Sequence, residues 1–223
     1  SGVPYSKITK AVSVNDEEFE KIANTIGKFE GLPFYLDSCP RIRVSKLISK
    51  IKFYYKRYGI KMAIIDYLQI MDIPTPKGGN RDQAIGVVTR KLKALANELD
   101  IPVLLLCGLN RYTDTIKPFP RPDKSCLRES GNIEADADVI IFLYHAEDYR
   151  HLYTKGFEDE NGVPLDGVLE VIYDKNRYGK PNTSEYCRWK RGHLQYENMQ
   201  HSNQPNNPHP DSFIRPRNFS DPF

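Results

Sequence analysis

The stretch Met62-Ala63-Ile64-Ile65-Asp66-Tyr67-Leu68-Gln69-Ile70-Met71 decides the fold of this 223-residue chain. It begins as a short apolar run that ends at a carboxylate, Asp66. Such a run, bounded by polar residues, is typical of a buried parallel strand. Ligands of open α/β sheets bind where these strands end, and nucleotide-hydrolysing domains hold Mg²⁺ with an acidic residue there. Asp66 therefore predicts a Mg²⁺ site, and a cap of the following turn is the alternative.

Apolar periodicity on both sides of this stretch predicts alternating helices and strands. Helical spacing marks residues 15–27, 44–58 and 81–99, and short apolar runs predict strands at residues 33–37, 101–107, 139–143, 167–173 and 185–189. This order predicts an α/β fold with a mostly parallel sheet, flanking helices and an antiparallel hairpin at its edge. We expect residues 1–198 to form this domain. Residues 199–223, rich in Asn, Pro, His and Ser, are expected to be a disordered tail.

The composition is that of a globular protein, with 39% hydrophobic and 27% charged residues. No apolar run reaches the ~18 residues that cross a membrane, and the four cysteines lie too far apart for a zinc or disulfide framework. The spacing of the cysteines favours a reducing cytosol. The net charge of +3 is unevenly distributed, which suggests a polyanionic partner. The basic residues concentrate in three segments: Lys77, Arg81, Arg90, Lys91 and Lys93; Arg111, Lys117, Arg121, Lys124 and Arg128; and Lys175, Arg177, Lys180, Arg188, Lys190 and Arg191.

Four motifs follow one another along the chain. They are Ile65-Asp66-Tyr67-Leu68-Gln69, Leu109-Asn110-Arg111, Leu127-Arg128-Glu129-Ser130-Gly131-Asn132-Ile133-Glu134-Ala135-Asp136-Ala137-Asp138 and Lys175-Asn176-Arg177-Tyr178-Gly179. In this order, and over roughly residues 3–197, they closely resemble the C-terminal RecA-like motor domain of the DnaB family of replicative helicases. The third motif is the most specific of the four.

The resemblance implies a role for each motif. Asp66 matches the Walker B aspartate, which acts on Mg²⁺ through water, and Gln69 falls among the nucleotide-binding residues. Lys175 and Arg177 match a hairpin Lys-x-Arg that reaches the γ-phosphate bound to the neighbouring subunit. The residues implied in contacts with DNA are Arg128, Glu129 and Gly131, supported by Lys77, Arg81 and Arg111.

The resemblance further implies ATP and Mg²⁺ as cofactors and single-stranded DNA as substrate. It also implies a homo-hexameric ring, a primase or helicase loader as a possible partner, and a bacterial or phage cytoplasm without membrane association. Each motif has a simpler interpretation. Lys175 and Arg177 could be solvated hairpin charges, and Arg128 with Glu129 could be an ion pair of little energetic consequence.

Two features depart from the family's pattern. No G-x-x-x-x-G-K-[ST] phosphate loop occurs in the chain, so the N-terminal third of the motor domain, which carries it, is expected to be absent. Cys107-Gly108 stands where the family usually has Ser-Gln, a glutamine that couples nucleotide to DNA. Two alternatives to a helicase motor therefore stay open: a non-catalytic RecA-like nucleic-acid-binding or adaptor module, and a recombinase core of the RecA or RadA type.

Overall fold

The structure is a computed structural model that describes residues 1–10, 14–39, 41–74, 80–109, 121–127, 131–152, 157–158 and 164–199. These residues divide into two compact units. The parallel-strand unit comprises the described residues within Pro33–Thr115 and Asp123–Ile140, and the hairpin unit comprises the others. No helix in the described ranges is long and apolar enough to span a membrane.

The parallel-strand unit is built on two strands and two long helices. Strands β1 (Ala63–Ile65) and β2 (Val103–Leu105) pair in parallel, with Ile65 opposite Leu105. Helices α3 (Val44–Tyr58) and α4 (Arg81–Leu99) have the predicted bounds. α3 ends because Gly59 adopts a left-handed conformation, with φ 65°, and donates its N–H to the Tyr55 carbonyl. A short helix, α5 (Gly131–Asp136), follows a 3₁₀ turn at Lys124–Leu127.

The core of this unit lies on one face of the two strands. Two clusters of buried side chains fill it: Ile65, Leu68, Met71, Ile85, Val88 and Leu92, and Ile51, Ala63, Leu95 and Ile101. On the other face Ile64 and its cross-strand neighbour Leu104 are 58% and 44% exposed. The prediction of a buried parallel strand is therefore correct for the face of β1 that carries Ala63 and Ile65, while Ile64 on the other face is exposed.

The hairpin unit is built on a four-stranded sheet in the order β3-β4-β5-β6. Its strands are β3 (Val139–His145), β4 (Val168–Asn176), β5 (Thr183–Lys190) and β6 (Gln195–Asn198). β4 and β5 form the predicted antiparallel hairpin, with Glu170 opposite Tyr186. Helices α1 (Tyr5–Lys10) and α2 (Asp16–Phe29) also belong to this unit. The Asn15 side chain caps α2 by accepting from the Glu18 N–H, and the Glu18 side chain accepts in return from the Asn15 N–H.

One predicted strand is absent and three short elements were not predicted. Residues 33–37 form no strand, since none of the described strands pairs with them, and Phe34 and Leu36 are 71% and 81% exposed. Helix α1, helix α5 and strand β6 had no prediction. Each spans only four to six residues, which is too short for a helical or alternating pattern to stand out.

Candidate functional site

Asp66 lies directly beyond β1, at the edge of the sheet where both parallel strands end. Its side chain is exposed, and no described residue donates a hydrogen bond to its carboxylate. The turn that follows is held firmly by the sheet: the Leu68 N–H donates to the Leu106 carbonyl at 2.9 Å, and the Leu68 side chain is fully buried. The capping alternative therefore lacks a hydrogen bond to support it, and the carboxylate is open to a solvated ligand.

A clasp between Gln69 and Gly108 joins the two strands at this same edge. The Gln69 Oε1 accepts from the Gly108 N–H at 3.0 Å, and its Nε2 donates to the Gly108 carbonyl at 2.9 Å. The Nε2 also lies 3.2 Å from the Cys107 Sγ, and burial raises the pKa of that thiol above its usual value. A Cβ added at Gly108 would lie 3.6 Å from Gln69, an ordinary contact. The two hydrogen bonds therefore use the backbone of Gly108, and they leave room for a Cβ at this position.

Asp66 is the one acidic residue that the sequence predicts for Mg²⁺. Among the described residues no three His, Cys, Asp or Glu side chains converge on a metal position. A single exposed carboxylate fits Mg²⁺, because this ion keeps several waters and is usually bound by one or two carboxylates together with substrate phosphates. It does not fit Zn²⁺, which needs several protein ligands.

Two acidic residues of the third motif bind side chains of α4. Asp136 accepts a hydrogen bond of 2.5 Å from the buried Thr89 hydroxyl, and Asp138 pairs with Lys93. Gly86 completes the contact, since a Cβ there would lie 2.6 Å from the Asn132 Cγ. Gly131, the first residue of α5, is exposed, and a Cβ there would meet nothing within 4 Å. The motif therefore anchors the segment that begins directly after residues 128–130.

Lys175 and Arg177 lie where strand β4 runs into the turn of the hairpin. Lys175 is half-buried within β4, and Arg177 is exposed as the first residue after it. The turn is tight at Gly179: a Cβ there would lie 2.5 Å from the Asn176 Nδ2, so the Asn176 side chain would have to shift. Both cations belong to the hairpin unit, whereas Asp66 and Gln69 belong to the parallel-strand unit.

The predicted DNA contacts fall mostly outside the described residues. This holds for Lys77, Arg111, Arg128 and Glu129, so their placement stays a prediction. Arg81 is described: it is exposed at the first position of α4, whose N-cap Asn80 accepts from the Asp82 N–H at 3.2 Å.

A buried ion pair in the hairpin unit was missed by the sequence analysis. Glu170 is 3% exposed, and its two oxygens accept from the Nη2 and Nε of Arg121 at 2.6 and 3.0 Å. Hydrogen bonding to this carboxylate raises the pKa of Arg121, against the opposing effect of burial. Ser184 Oγ donates to the same carboxylate at 2.6 Å.

The sequence analysis counted Arg121 among the basic residues that suggest a polyanionic partner. Its ion pair with Glu170 corrects that expectation for Arg121. The Arg121 guanidinium is paired with Glu170 inside the protein, and the Lys124 Nζ lies 3.3 Å from the Glu134 Oε1. The signal for the pair was an isolated Glu within the apolar strand Val168–Asn176, because a buried carboxylate requires a partner.

Comparison with known proteins agrees with this arrangement. Residues 1–198 match the family described as the DnaB-like helicase C terminal domain. The replicative DNA helicase DnaB of Geobacillus stearothermophilus is 36% identical over 167 residues, which are 75% of this chain and 34% of that protein. The DnaB of Pasteurella multocida is 36% identical over 181 residues, 80% of this chain and 36% of that protein. The chain thus spans about a third of the length of these relatives.

Solved structures agree in fold. The ATPase domain of G40P superposes with a TM-score of 0.75 and 28% identity, covering 89% of this chain and 66% of that one. The second structure is that of a DnaB-like replicative helicase, solved in a study of its interactions with primase. It gives the same TM-score and sequence identity, and the match covers 89% of this chain and 46% of that one. The predicted RecA-like α/β fold is therefore confirmed. With residues 1–198 matched by a single family, the chain belongs to the DnaB-like helicase C-terminal domain family.

Proposed function

We propose that this chain is part of an ATP-dependent replicative DNA helicase that unwinds duplex DNA as a hexameric ring while moving along single-stranded DNA. The observation that carries the proposal is the position of Asp66, exposed at the carboxyl edge of two parallel strands in a DnaB-like domain. This is where an α/β sheet binds its ligand. The family assignment favours a helicase over a recombinase core.

Asp66 and Gln69 have separate roles in this proposal. Asp66 would hold Mg²⁺ through the water bound to the ion, and the chemistry that Mg²⁺ would supply is neutralisation of charge on the phosphates of ATP. Gln69 is a positioning residue, since both ends of its amide are occupied by the Gly108 backbone. By binding Gly108, Gln69 holds the chain that follows β2 next to the chain that follows β1. It thereby fixes the edge of the sheet where Asp66 lies.

Lys175 and Arg177 act on the nucleotide of a neighbouring subunit. A guanidinium delivered to the γ-phosphate from another chain stabilises the charge that develops in the transition state. The hairpin suits this task because Arg177 is exposed at its turn, beyond the last paired residues Tyr173 and Thr183. Hydrolysis then depends on assembly of the ring.

DNA contacts are assigned to Arg81 and Gly131, the first residues of α4 and α5, and to four residues outside the described ranges: Lys77, Arg111, Arg128 and Glu129. The hydrogen bond between Thr89 and Asp136 supports this assignment. It anchors α5 to α4 and so fixes the position of Gly131, at which the segment with Arg128 and Glu129 ends. Gly131 lies in the first turn of α5, where N–H groups have no partner within the helix. A phosphate could accept a hydrogen bond from them.

Primase or a loader is the further partner that the proposal includes. The structure of a similar helicase was studied together with its interactions with primase. We place the protein in the bacterial or phage cytoplasm, where replication takes place.

This chain alone is expected to bind ATP no more tightly than millimolar and to show no measurable ATPase activity. It lacks the backbone N–H cradle and the lysine that a phosphate loop supplies. Titration with a fluorescent ATP analogue tests this, with Asp66→Asn as the matched control. Micromolar affinity that Asp66→Asn weakens would reveal a complete nucleotide site and contradict the expectation.

Arg128→Ala is expected to weaken binding of single-stranded DNA by the assembled helicase equally for all sequences. Phosphate contacts carry no sequence information, so the slope of log affinity against log salt should fall by about one. The measurement is fluorescence anisotropy with homopolymers at several salt concentrations. Lys10→Ala, at the exposed end of α1, is the control and should leave the slope unchanged. A strong base preference, or an unchanged slope for Arg128→Ala, would remove this loop from the DNA path.

The alternative of a non-catalytic adaptor module rests on Gly108 and the missing phosphate loop. Replacing Gly108 tests this alternative, because a Cβ at position 108 would make only an ordinary contact with Gln69. If the assembled helicase hydrolyses ATP and responds to DNA only after Gly108→Gln, the natural chain is an adaptor. If it does so with Gly108 in place, the helicase proposal holds.

A further inference from the structure

Helix α3 has a strongly basic, exposed face in the parallel-strand unit. The helix contains five cations and no acidic residue: Lys46, Lys50, Lys52, Lys56 and Arg57. Its apolar side, centred on the buried Ile51, packs into the core. Lys46, Phe53 and Arg57 are spaced seven and four residues apart, so they lie along one line on the opposite side.

Exposed aromatic rings accompany these cations. Phe53 is 57% exposed, and Tyr35 and Tyr58 are 42% and 45% exposed. The rings of Tyr35 and Tyr58 stack with their centroids 4.4 Å apart, and the ring of Phe53 meets that of Tyr58 edge-on at 6.3 Å. The rings therefore form a continuous apolar surface that borders the line of cations.

The cations of this face are only partly neutralised inside the protein. Lys50 pairs with Asp37 at 2.5 Å, and Lys52 pairs with Glu98 at 2.6 Å. Lys46, Lys56 and Arg57 form no ion pair with any residue that the structure describes. Cations in the last turn also complement the helix dipole, but that effect does not require exposed rings beside them.

We propose that this face of α3, with Tyr35 and Tyr58, binds single-stranded DNA by stacking bases on the rings and pairing phosphates with the cations. Single-stranded nucleic acid presents both regular negative charge and flat apolar faces, and its binding sites combine cationic grooves with aromatic rings. An acidic peptide would satisfy the charges and leave the rings unused. The residues of this face are not among those assigned to DNA in the proposed function, and the inference does not depend on the proposed helicase activity.

The first test measures binding of a fluorescein-labelled 15-mer of dT to the complete chain by anisotropy. Phe53→Ala should weaken binding about five- to a hundredfold, the effect of losing one stacked base. Phe19→Ala on α2 is the matched control: that ring is 67% exposed, and its loss should change nothing. Arg57→Ala should lower the salt slope by about one, and Lys28→Ala on α2 should not. Equal effects of Phe53→Ala and Phe19→Ala would overturn the proposal.

The second test reports stacking directly. The fluorescence of the Phe53→Trp variant, after subtraction of the Trp189 signal of the unmodified chain, should be quenched when dT is added, and Arg128→Ala should not abolish the quenching. A poly-Glu peptide of the same length should neither quench the signal nor compete well with DNA. Absence of quenching, or equal competition by poly-Glu, would show that the face binds anions or acidic peptides without stacking and would overturn the proposal.

Discussion

Replacing Arg177 with alanine in the whole helicase is expected to lower ATP turnover by about three to five orders of magnitude, the range for arginine fingers. Nucleotide affinity should stay nearly unchanged, because the guanidinium contributes mainly when charge develops on the transferred phosphoryl group. Arg177→Lys should recover little of the rate, since an ammonium lacks the planar fork of donors. Steady-state turnover and nucleotide titration, measured on the same assembled preparations, separate the two quantities.

Lys180→Ala is the matched control, because Lys180 is an exposed cation in the same hairpin turn. Its loss should change turnover by less than a few fold. Rings that contain both wild-type and Arg177→Ala subunits provide a second criterion. If the finger acts on the neighbouring subunit, activity should fall more steeply than the mole fraction of mutant. A fall proportional to the mole fraction would contradict a finger supplied between subunits.

The long helices of this fold were predictable because the helical spacing of their apolar residues repeats over several turns. α4 repeats its apolar residues over five turns, and Ile85, Val88, Leu92 and Leu95 are buried as that spacing predicts. α2 was predicted from the helical spacing of its apolar residues, although none of its described residues is buried. Apolar periodicity thus identifies a helix but does not say what covers its apolar side.

Residues 33–37 show where local pattern fails. A β-strand is defined by hydrogen bonds to another strand, so an extended apolar segment is a strand only if a partner lies beside it. Nothing in the local sequence specifies that partner. The position of Asp66 was predictable for the opposite reason, since the apolar run, the carboxylate and the turn are all contiguous in the chain.

The contacts that organise the candidate site join residues distant in sequence. Gln69 and Gly108 are 39 residues apart, and Thr89 and Asp136 are 47 apart. Gly108 stands where the family usually has a glutamine that couples nucleotide to DNA. The structure adds that the Gln69 amide binds the Gly108 backbone, a feature that composition and periodicity cannot reveal.

Arg121→Met is expected to destabilise the chain by about 3–5 kcal/mol, because it leaves the carboxylate of Glu170 buried without its cation. Glu170 is 3% exposed, and among the described residues Ser184 Oγ at 2.6 Å and the more distant Tyr186 hydroxyl at 3.5 Å would remain as its donors. Urea denaturation followed by Trp189 fluorescence measures the loss, since Trp189 lies on β5 of the same sheet. The m-value should stay constant if the unfolded state is unaffected.

The double variant Arg121→Met/Glu170→Leu should regain most of that stability, since replacing both partners of a buried pair with apolar side chains is often neutral. Lys190→Ala is the matched control in the same sheet: its partner Glu197 lies 2.5 Å away, but both side chains are about half exposed, so the loss should stay below about 1 kcal/mol. A large loss in the single variant with recovery in the double one is the expected result, and it would show that the cost of Arg121→Met is the cost of an unpaired buried charge. If Arg121→Met costs no more than Lys190→Ala, or if the double variant is no more stable than the single one, an unpaired buried charge is not the cause of the loss.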